Sequence, residues 1–491
     1  MTHTDTSTTT RRARRLMVAC CAVLAASSVT VPAAVPQVSA DVCALGPGGE
    51  YHAVTPARVF DSRSDRSVND VAPLGSKPMS ASDPTFSLDL LGLATPGFQA
   101  AWLPADVEAS DVLAVVASVT IVNPTQKGNL AAFPTGTTST SSLLNFGIGQ
   151  NVPNLGVLRA NAEGKVTIRL HSDVTGRADV LVDVFGWFSS SCYDAGTPLD
   201  STDERGARLV PVDPGRILDT RFSSTTTADD QPLGAQRQRG LKIRGAQALG
   251  GSVIVPDDPD VVGVVLNVTA VQPTSRTYVS VVPELAVGAI PATSNLNVLP
   301  GAVKANLVIV PVGADGRVRL YNHAGRTNLV VDVMGYLLDG EDVATRRGRV
   351  VPLATPFRVF DTRAAGFGSV PLGPSFAEDW SFANFASSVK IGGVSVGAQM
   401  GLIGNLTNAE LRRQYPGWPV NRSYLTVWPT PATSGPRPTV SVLNSVENSP
   451  NPNPVPNMAL IKYGVDQQVR FFNYQGYAHY LLDVSAVVLD D

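Results

Sequence analysis

The sequence predicts an all-β protein built from three tandem domains of one β-sandwich-like type. The 491-residue chain is 44% hydrophobic and only 16% charged, which fits packed cores. It contains 43 glycines and 37 prolines among many valines, threonines and serines, a composition that favours short strands and turns over long helices. One series of short apolar runs also occurs three times, in repeats long enough to hold a core each.

The first forty residues predict a secretory signal peptide. RRARR at 11–15 precedes the apolar run LMVACCAVLAA, and small residues at 38–40 form a cleavage site before Asp41. The double arginines are similar to a twin-arginine export signal, but Arg15 stands where such signals usually carry an apolar residue, so the general secretory route is favoured. No later run approaches the ~18 apolar residues of a membrane span. We therefore expect a secreted protein, extracellular or loosely associated with the cell envelope.

The charge balance disfavours one class of partner. Setting residues 1–40 aside leaves 34 basic and 40 acidic residues. A nucleic-acid binder needs a basic face to replace the counterions around phosphates. The sequence therefore predicts no nucleic-acid partner.

Cys43 and Cys192 are the only cysteines after the predicted signal peptide. An even pair in an oxidising compartment favours a disulfide over two free thiols. Cys43 precedes the first repeat's opening motif and Cys192 follows its last apolar run, so the bond would join the two ends of that repeat. The chain-entropy relation gives up to about 5 kcal/mol of stabilisation for so long a loop.

Each repeat opens with one six-residue motif, continues with PLG, and closes with an apolar run that contains an aspartate. The opening motif is RVFDSR at 58–63, RILDTR at 216–221 and RVFDTR at 358–363, and the closing runs occupy 180–188, 329–337 and 480–488. Between them lie short runs of Val, Ile, Leu and Thr, punctuated by Gly, Pro, Asn or Asp as in sandwiches and barrels. The predicted domains are 41–192, 207–338 and 349–491, with polar joins between them.

Five motifs together resemble tandem β-rich repeat modules of secreted actinobacterial proteins: TPARVFDSR (55–63), PLG, LNVTAVQPT (266–274), VPNL (152–155) and DVFGWF (183–188). The resemblance covers essentially the whole chain after residue 40. Such modules occur alone or appended to extracellular enzymes and bring no established catalytic residue or ligand, so the resemblance implies an extracellular, non-catalytic module. The third repeat departs from the pattern at 485–488, where SAVV replaces the Gly-aromatic ending of its last strand.

The repeated aspartates within apolar strands predict ion pairs. Burying a carboxylate is costly unless it is paired, and the planar fork of arginine suits bidentate pairing. We expect the first arginine of each motif to contact the late-strand aspartate of its own repeat, and the motif's aspartate to lie between two arginines. The residues are Arg58, Asp61, Arg63 and Asp183; Arg216, Asp219, Arg221 and Asp332; and Arg358, Asp361, Arg363 and Asp483. The alternative is that these groups line an anion, sugar or metal site.

Two asparagines also recur at fixed places in the repeats. One set is Asn145, Asn297 and Asn444, and the other is Asn154, Asn306 and Asn457. Capping of turns and backbone groups explains them, and amide contacts to sugar hydroxyls are the alternative.

The third repeat carries an insertion, LTNAELRRQYPGWPVNRSYLTVWP at 406–429. Thr407 and Glu410 fit a capping box and Pro416 a stop, which predicts one short helix. That helix would present a candidate interface of Arg412, Arg413, Tyr415 and Trp418, residue types that include those enriched at interfaces. The alternative is that Trp418 fills the third core.

Catalytic constellations are hard to assemble from this sequence. His52, His171, His323 and His479 do not share a position in the repeat, and no GxSxG, HExxH or phosphate-loop motif occurs. We expect no cofactor or metal, and a non-catalytic protein with three similar surfaces for multivalent contact with cell-surface polysaccharide or another extracellular protein. The alternative is an extracellular carbohydrate-active hydrolase with paired carboxylates in one repeat.

Overall fold

The structure is a computed structural model. It describes residues 47–63, 78–91, 102–104, 107–172, 175–196, 206–221, 231–339, 345–367, 369–391, 393–412, 422–433, 435–446 and 454–491. The predicted signal peptide, Cys43 and the first PLG at 73–75 lie outside these residues, and the predictions made for them stay predictions.

Antiparallel strands dominate all three repeats. Repeat 1 contains β1 (Tyr51–Asp61), β2 (Met79–Ser80), β3 (Thr85–Asp89), β4 (Val112–Val122), β5 (Gly128–Pro134), β6 (Leu144–Phe146), β7 (Val152–Leu158), β8 (Lys165–Ser172), β9 (Arg177–Ser189) and helix α1 (Ser191–Gly196). Repeat 2 contains β10 (Ala207–Asp219), β11 (Arg237–Lys242), β12 (Val261–Val271), β13 (Thr277–Val282), β14 (Leu296–Val298), β15 (Val303–Pro311), β16 (Arg317–Asn322) and β17 (Asn328–Asp339). Repeat 3 contains β18 (Val350–Asp361), β19 (Phe376–Ser381), α2 (Ala383–Ser388), β20 (Lys390–Ile391), β21 (Val394–Ser395), β22 (Gln399–Arg412), β23 (Arg422–Pro429), β24 (Leu443–Val446), β25 (Val455–Lys462), β26 (Gln468–Asn473) and β27 (Tyr477–Leu489).

Each repeat is a sandwich of two four-stranded sheets, which confirms the predicted all-β sandwich class. The inner sheets run β1-β9-β4-β7, β10-β17-β12-β15 and β18-β27-β22-β25, and the outer sheets run β3-β8-β5-β6, β11-β16-β13-β14 and β19-β26-β23-β24. When the eight principal strands of a repeat are counted in chain order, the inner sheet reads one, eight, three, six and the outer sheet two, seven, four, five. This strand order is that of a jelly roll.

The two sheets differ in sequence because their surroundings differ. Inner strands such as β4 are buried on both faces over most of their length, which explains their nearly continuous apolar runs. Outer strands such as β8 alternate buried and partly exposed side chains, because one face packs on the core and the other meets solvent.

The PLG motif is held by an asparagine at the end of the seventh strand. Nδ2 of Asn322 donates to the carbonyls of Leu233 and Gly234, both at 3.0 Å. In repeat 3, Asn473 donates in the same way to the carbonyls of Leu372 and Gly373, both at 3.1 Å. In repeats 2 and 3 the motif is therefore fastened to the end of an outer strand, and its leucine forms a β-bridge with Thr327 or Ala478.

The last strand of repeat 3 is continuous despite its departure from the repeat pattern. Ala486 pairs with both Pro352 of β18 and Ile403 of β22, where repeats 1 and 2 carry a glycine, and β27 extends to Leu489. The change from Gly-aromatic to SAVV therefore leaves the strand pairing intact.

The helix predicted at the insertion of repeat 3 is wrong. Thr407 and Glu410 lie in β22, where they pair with Leu481 and His479 of β27. Thr407 and Leu411 are buried, so the ladder of hydrogen bonds and the burial of this strand outweigh a local capping signal. The other candidate interface residues, Arg413, Tyr415 and Trp418, lie outside the described residues, and Arg412 is exposed and paired with Glu410.

The three repeats close into a ring around a pseudo-threefold axis. The sixth strands β7, β15 and β25 contact one another pairwise. Equivalent side chains from the three repeats line a small apolar cavity on the axis: Leu155, Leu307 and Met458, followed by Val157, Ile309 and Leu460. The inner sheets of repeats 1 and 2 are also joined through β1 and β10. Buried apolar residues of repeats 1 and 3 form one continuous cluster that includes the axis, whereas the sandwich of repeat 2 holds a cluster of its own.

Candidate functional site

The charged motif forms a chain of ion pairs in each repeat. In repeat 2, Nε and Nη2 of Arg216 donate to the two carboxylate oxygens of Asp332 at 2.8 and 3.3 Å. Nη1 of the same arginine reaches Asp219 at 3.1 Å, and Asp219 accepts two hydrogen bonds from Arg221 at 2.8 and 2.6 Å. Because Arg216 and Asp332 face each other across β10 and β17, the pair fixes the register of the first strand on the last.

The same arrangement occurs in repeats 1 and 3. The fork of Arg58 meets Asp183 at 2.8 and 3.0 Å, and that of Arg358 meets Asp483 at 2.9 Å for both bonds. The outer links join Asp61 to Arg58 and Arg63, and Asp361 to Arg358 and Arg363. The structure thus brings together all twelve residues for which ion pairs are predicted.

Burial and pairing act in opposite directions on these carboxyl groups. Burial raises the pKa of Asp183, Asp332 and Asp483, and the bound guanidinium groups counteract only part of this effect. At Asp61, Asp219 and Asp361 burial also favours the neutral form, but the hydrogen bonds and charge of the neighbouring arginine outweigh it and lower the pKa. The outer carboxylates are therefore firmly ionised at neutral pH.

Two of the three late-strand aspartates, Asp332 and Asp483, also contact a neighbouring repeat. Oδ2 of Asp332 in repeat 2 accepts the backbone N–H of Ser441 in repeat 3 at 3.2 Å. The backbone amide of Ser142 in repeat 1 likewise stabilises the ionised form of Asp483 in repeat 3. In repeats 2 and 3 the ion-pair chain therefore ties the repeat to a neighbouring one as well as its first strand to its last.

Buried asparagines complete the boundary between repeats 2 and 3. Nδ2 of Asn457 donates to the carbonyl of Val442 at 2.7 Å and to Oδ1 of Asn267 in repeat 2 at 2.8 Å. Oδ1 of Asn457 accepts the backbone N–H of Leu307 at 3.0 Å, and Asn267 donates to the carbonyl of Ser441. Backbone capping was predicted for Asn457, whereas its bonds to the neighbouring repeat were not.

The boundary between repeats 3 and 1 repeats this arrangement. Asn154 donates to Leu143 at 2.6 Å and to Asn405 at 2.9 Å, and Asn405 donates to Ser142 at 2.6 Å. Oδ1 of Asn154 accepts the backbone N–H of Met458 at 3.1 Å. Both amide side chains are buried, so neither is open to a sugar hydroxyl.

The boundary between repeats 1 and 2 lacks this network. Ser118 occupies the place of Asn267 and Asn405. With respect to the described residues, the side chain of Asn306 keeps one bond, to the carbonyl of Asn295 at 2.6 Å. Within the described ranges, Oγ of Ser118 and Oδ1 of Asn306 have no hydrogen-bond partner. Among the described residues, the asparagine network is therefore complete at two boundaries of the ring and incomplete at the boundary between repeats 1 and 2.

The other recurring asparagines lie in the short fifth strand of each repeat. Asn145, Asn297 and Asn444 are half-buried, and each donates to the hydroxyl of the serine three residues earlier, at 3.2, 3.3 and 3.4 Å. These local bonds fit the predicted role in turns.

A buried charge cluster at the start of the first strands was missed by sequence reasoning. Arg208 of repeat 2 donates to Glu50 of repeat 1 at 2.9 Å, and Arg349 of repeat 3 approaches the same carboxylate at 3.5 Å. Arg349 also donates to the carbonyl of Gly48 at 2.7 Å. The three charged residues occupy the same place in the repeats, each lying three positions before the residue that pairs with Gly186, Gly335 or Ala486. A comparison of this place among the repeats would have shown one acidic and two basic residues.

The outer sheet of repeat 3 carries an aromatic group beside the boundary with repeat 2. We define Tyr424, Phe472, Tyr474 and Arg437 as the outer-face cluster. Tyr424 and Tyr474 stack with ring centroids 4.7 Å apart and an interplanar angle of 15°. The guanidinium of Arg437 lies 3.8 Å from the centroid of Phe472, and its Nη2 donates to the hydroxyl of Tyr424 at 3.3 Å.

The equivalent positions of the other repeats carry a different chemistry. Repeat 2 has Tyr278 stacked on His323 at 4.5 Å, with Tyr321 beside them. Repeat 1 has Asn129 and His171 at the places of Tyr424 and Tyr474. His171 and His323 therefore share a place in the repeat, which corrects the interpretation made from the sequence. Sequence reasoning missed the cluster, although a comparison of outward positions among the repeats would have shown the difference.

Neither a metal site nor a membrane helix is found in the described parts of the chain. No group of three or more His, Cys, Asp or Glu side chains is placed to share an ion there. The helices within the same ranges are all too short or too polar to cross a bilayer.

Comparisons with known proteins add little. No family model and no curated protein matches the chain. The CBM22-1-CBM22-2 tandem domain from Paenibacillus barcinonensis Xyn10C is similar at 12% identity, over 58% of this chain and 98% of that one, with a TM-score of 0.17. A triple jelly roll protein of an archaeal virus matches at 8% identity over 90% of both chains, with a TM-score of 0.15. A protein of Sulfolobus Turreted Icosahedral Virus matches at 8% identity over 90% of this chain and 91% of that one, with a TM-score of 0.16. The jelly-roll assignment rests on the strand order alone.

Proposed function

We propose that this protein is an exported, non-catalytic binding or structural protein of the extracellular space or cell envelope, with cell-surface glycans as its favoured ligands. The observation that carries the proposal is the ring: the sixth strand of every inner sheet is turned to the axis, and each outer sheet keeps a partly solvated face. Three related faces held at fixed spacing suit multivalent binding, because linked weak sites gain avidity when the geometry allows simultaneous contact.

The repeated carboxylates support binding over hydrolysis. A glycosidase needs two carboxyl groups that face the sugar, one of them protonated to act as a general acid. In this protein the forks of arginine side chains occupy both oxygens of Asp183, Asp332 and Asp483. The repeated motif therefore supports a framework role, and the competing anion, sugar or metal site remains the alternative for it.

Export is part of the proposal and rests on the sequence. The basic and apolar segments within residues 1–40 form a secretory signal, and Cys43 and Cys192 are an even pair suited to an oxidising compartment. Residues 41–491 are accordingly the mature chain in the experiments below.

The test is incubation of the mature chain with insoluble polysaccharides and isolated cell-wall material. Both the protein retained in the pellet and the reducing sugar released into solution are measured. We expect retention without release. Release of reducing sugar would overturn the non-catalytic proposal in favour of the hydrolase alternative.

A further inference from the structure

The outer-face cluster has an accessible aromatic platform. Tyr474 is 38% exposed although one of its faces stacks on Tyr424. The face of an aromatic ring carries partial negative charge, so it attracts the positively polarised C–H groups of a sugar ring. Because the stack holds Tyr474 in place, a ligand meets a pre-ordered surface.

Arg437 supplies a charge that has no acidic partner in the described part of the chain. Its side chain is exposed and rests on Phe472, and a single hydrogen bond to Tyr424 holds its outer nitrogen. Among the described residues, no carboxylate forms an ion pair with Arg437. The planar fork of arginine is matched in shape and charge to a carboxylate, which it binds through two parallel hydrogen bonds.

The other repeats show that the jelly roll does not need this cluster. Counting back from the serine that precedes the fifth strand, Arg437 corresponds to Thr138 in repeat 1 and Ile290 in repeat 2. Repeat 1 also has no aromatic residue at the place of Tyr424, yet its two sheets form with the same strand order. The combination of platform and arginine is therefore additional to the framework.

We propose that the outer-face cluster of repeat 3 binds a carboxylated sugar, such as a uronic acid residue of an anionic polysaccharide. The sugar ring stacks on Tyr474 while its carboxylate accepts hydrogen bonds from Arg437. This inference rests on the proposed glycan-binding function and assigns it a substrate class and one repeat.

The test compares two polymers with the same backbone. Polygalacturonate carries free carboxylates, whereas its methyl-esterified form carries neutral esters. We expect the mature chain to bind polygalacturonate at least about tenfold more tightly than the ester in affinity electrophoresis, since the charge-assisted hydrogen bonds are lost on esterification.

Variants locate the site within the ring. Arg437→Gln and Tyr474→Ala should each weaken polygalacturonate binding about tenfold, and Arg437→Lys should recover only part of it because lysine lacks the fork. His323→Ala, at the place of Tyr474 in repeat 2, should bind as the wild type does. Equal melting temperatures show that the exposed substitutions leave the fold intact.

The outcomes separate this inference from the proposed function. Equal binding of both polymers, or wild-type binding by Arg437→Gln, overturns the carboxylated-sugar site. Retention on cell-wall material without any preference for polygalacturonate overturns the site and leaves the proposed function standing. Failure to bind any polysaccharide or wall preparation overturns both.

Discussion

Nδ2 of Asn457 in repeat 3 donates a hydrogen bond to Oδ1 of Asn267 in repeat 2 at 2.8 Å, although the two residues are 190 positions apart in sequence. Both side chains are buried, and their remaining bonds reach backbone groups on either side of the boundary. The assembly of the ring thus depends on polar contacts as well as on the apolar axis.

Asn457→Ala should be strongly destabilising. It leaves Oδ1 of Asn267, the carbonyl of Val442 and the N–H of Leu307 buried without their partner, and each such group costs about 1–3 kcal/mol. We expect a loss of at least about 3 kcal/mol in the free energy of urea unfolding. Asn306→Ala is the matched control, because Asn306 makes one such bond, and it should cost about 1 kcal/mol. Equal losses of unfolding free energy in the two variants would contradict a stabilising role for the asparagine network at this boundary.

Ser118→Asn should stabilise the protein. The asparagine would offer Nδ2 and Oδ1 to the incomplete boundary, where Oδ1 of Asn306 has no partner among the described residues. We expect a gain of about 1 kcal/mol, the net value of one buried hydrogen bond, seen as a higher urea midpoint. A lower midpoint would show that this boundary has no room for the larger side chain.

Arg216→Met should strongly lower the free energy of unfolding, because it breaks the buried ion pair with Asp332. It leaves Asp332 buried without its guanidinium, and breaking such a pair from one side costs about 3–5 kcal/mol. The double variant Arg216→Met with Asp332→Leu should recover most of that loss, because no unpaired charge remains. Arg221→Met, at the outer end of the chain, should cost under about 1 kcal/mol. An Arg216→Met protein of wild-type stability that no longer binds cell-wall material would instead favour a ligand site at this motif.

His479 should make the unfolding free energy depend on pH near neutrality. Burial, with the nearby positive charge of Arg412, lowers its pKa below the ordinary 6.5. The unfolded chain therefore binds a proton more readily than the folded one, so stability is present above pH 6.5 and falls as the pH drops below it. The other charges around this histidine are Glu410, Arg363 and Asp361.

The matched variant is His479→Asn, which copies Asn328 at the same place in repeat 2, where it accepts a hydrogen bond from Thr220. In repeat 3, Thr362 is the hydroxyl partner of His479 at 3.0 Å. Between pH 7.5 and 5 the variant should lose less unfolding free energy than the wild type. Parallel losses in the two proteins would refute the assignment to His479.

The predicted disulfide is checked by peptide mapping of the exported mature chain without reduction. We expect a crosslinked peptide that contains Cys43 and Cys192 and disappears on reduction. Two peptides that react with a thiol label before reduction would show free cysteines instead.

The sequence predicted the fold class because every repeat shows the same strand periods and turns. It also predicted the contact of Arg216 with Asp332, because an aspartate inside an apolar strand needs a nearby cation. The ring could not be predicted in this way. Asn267 and Asn457 meet only after three complete sandwiches have formed, and neither residue carries a local signal for its partner.

The wrong helix and the missed cluster have separate physical causes. Thr407 and Glu410 form a capping pattern, but their strand gains more from pairing with β27 than a short helix would provide. Tyr424 and Tyr474 are far apart in sequence and come together because both project outward from neighbouring parts of one sheet. An alignment of the outward positions would have revealed the pair.

Closure of the ring within one polypeptide gives this protein a freedom that a homotrimer lacks. In a homotrimer every substitution appears three times, so a change that suits one interface must suit all of them. Here Ser118 can interrupt the asparagine network at one boundary while Asn267 and Asn405 keep it at the other two. By the same logic, repeat 3 can carry Arg437 without placing a cation on its neighbours. Covalent linkage of the three repeats thus lets the copies differ while the assembly keeps its stoichiometry.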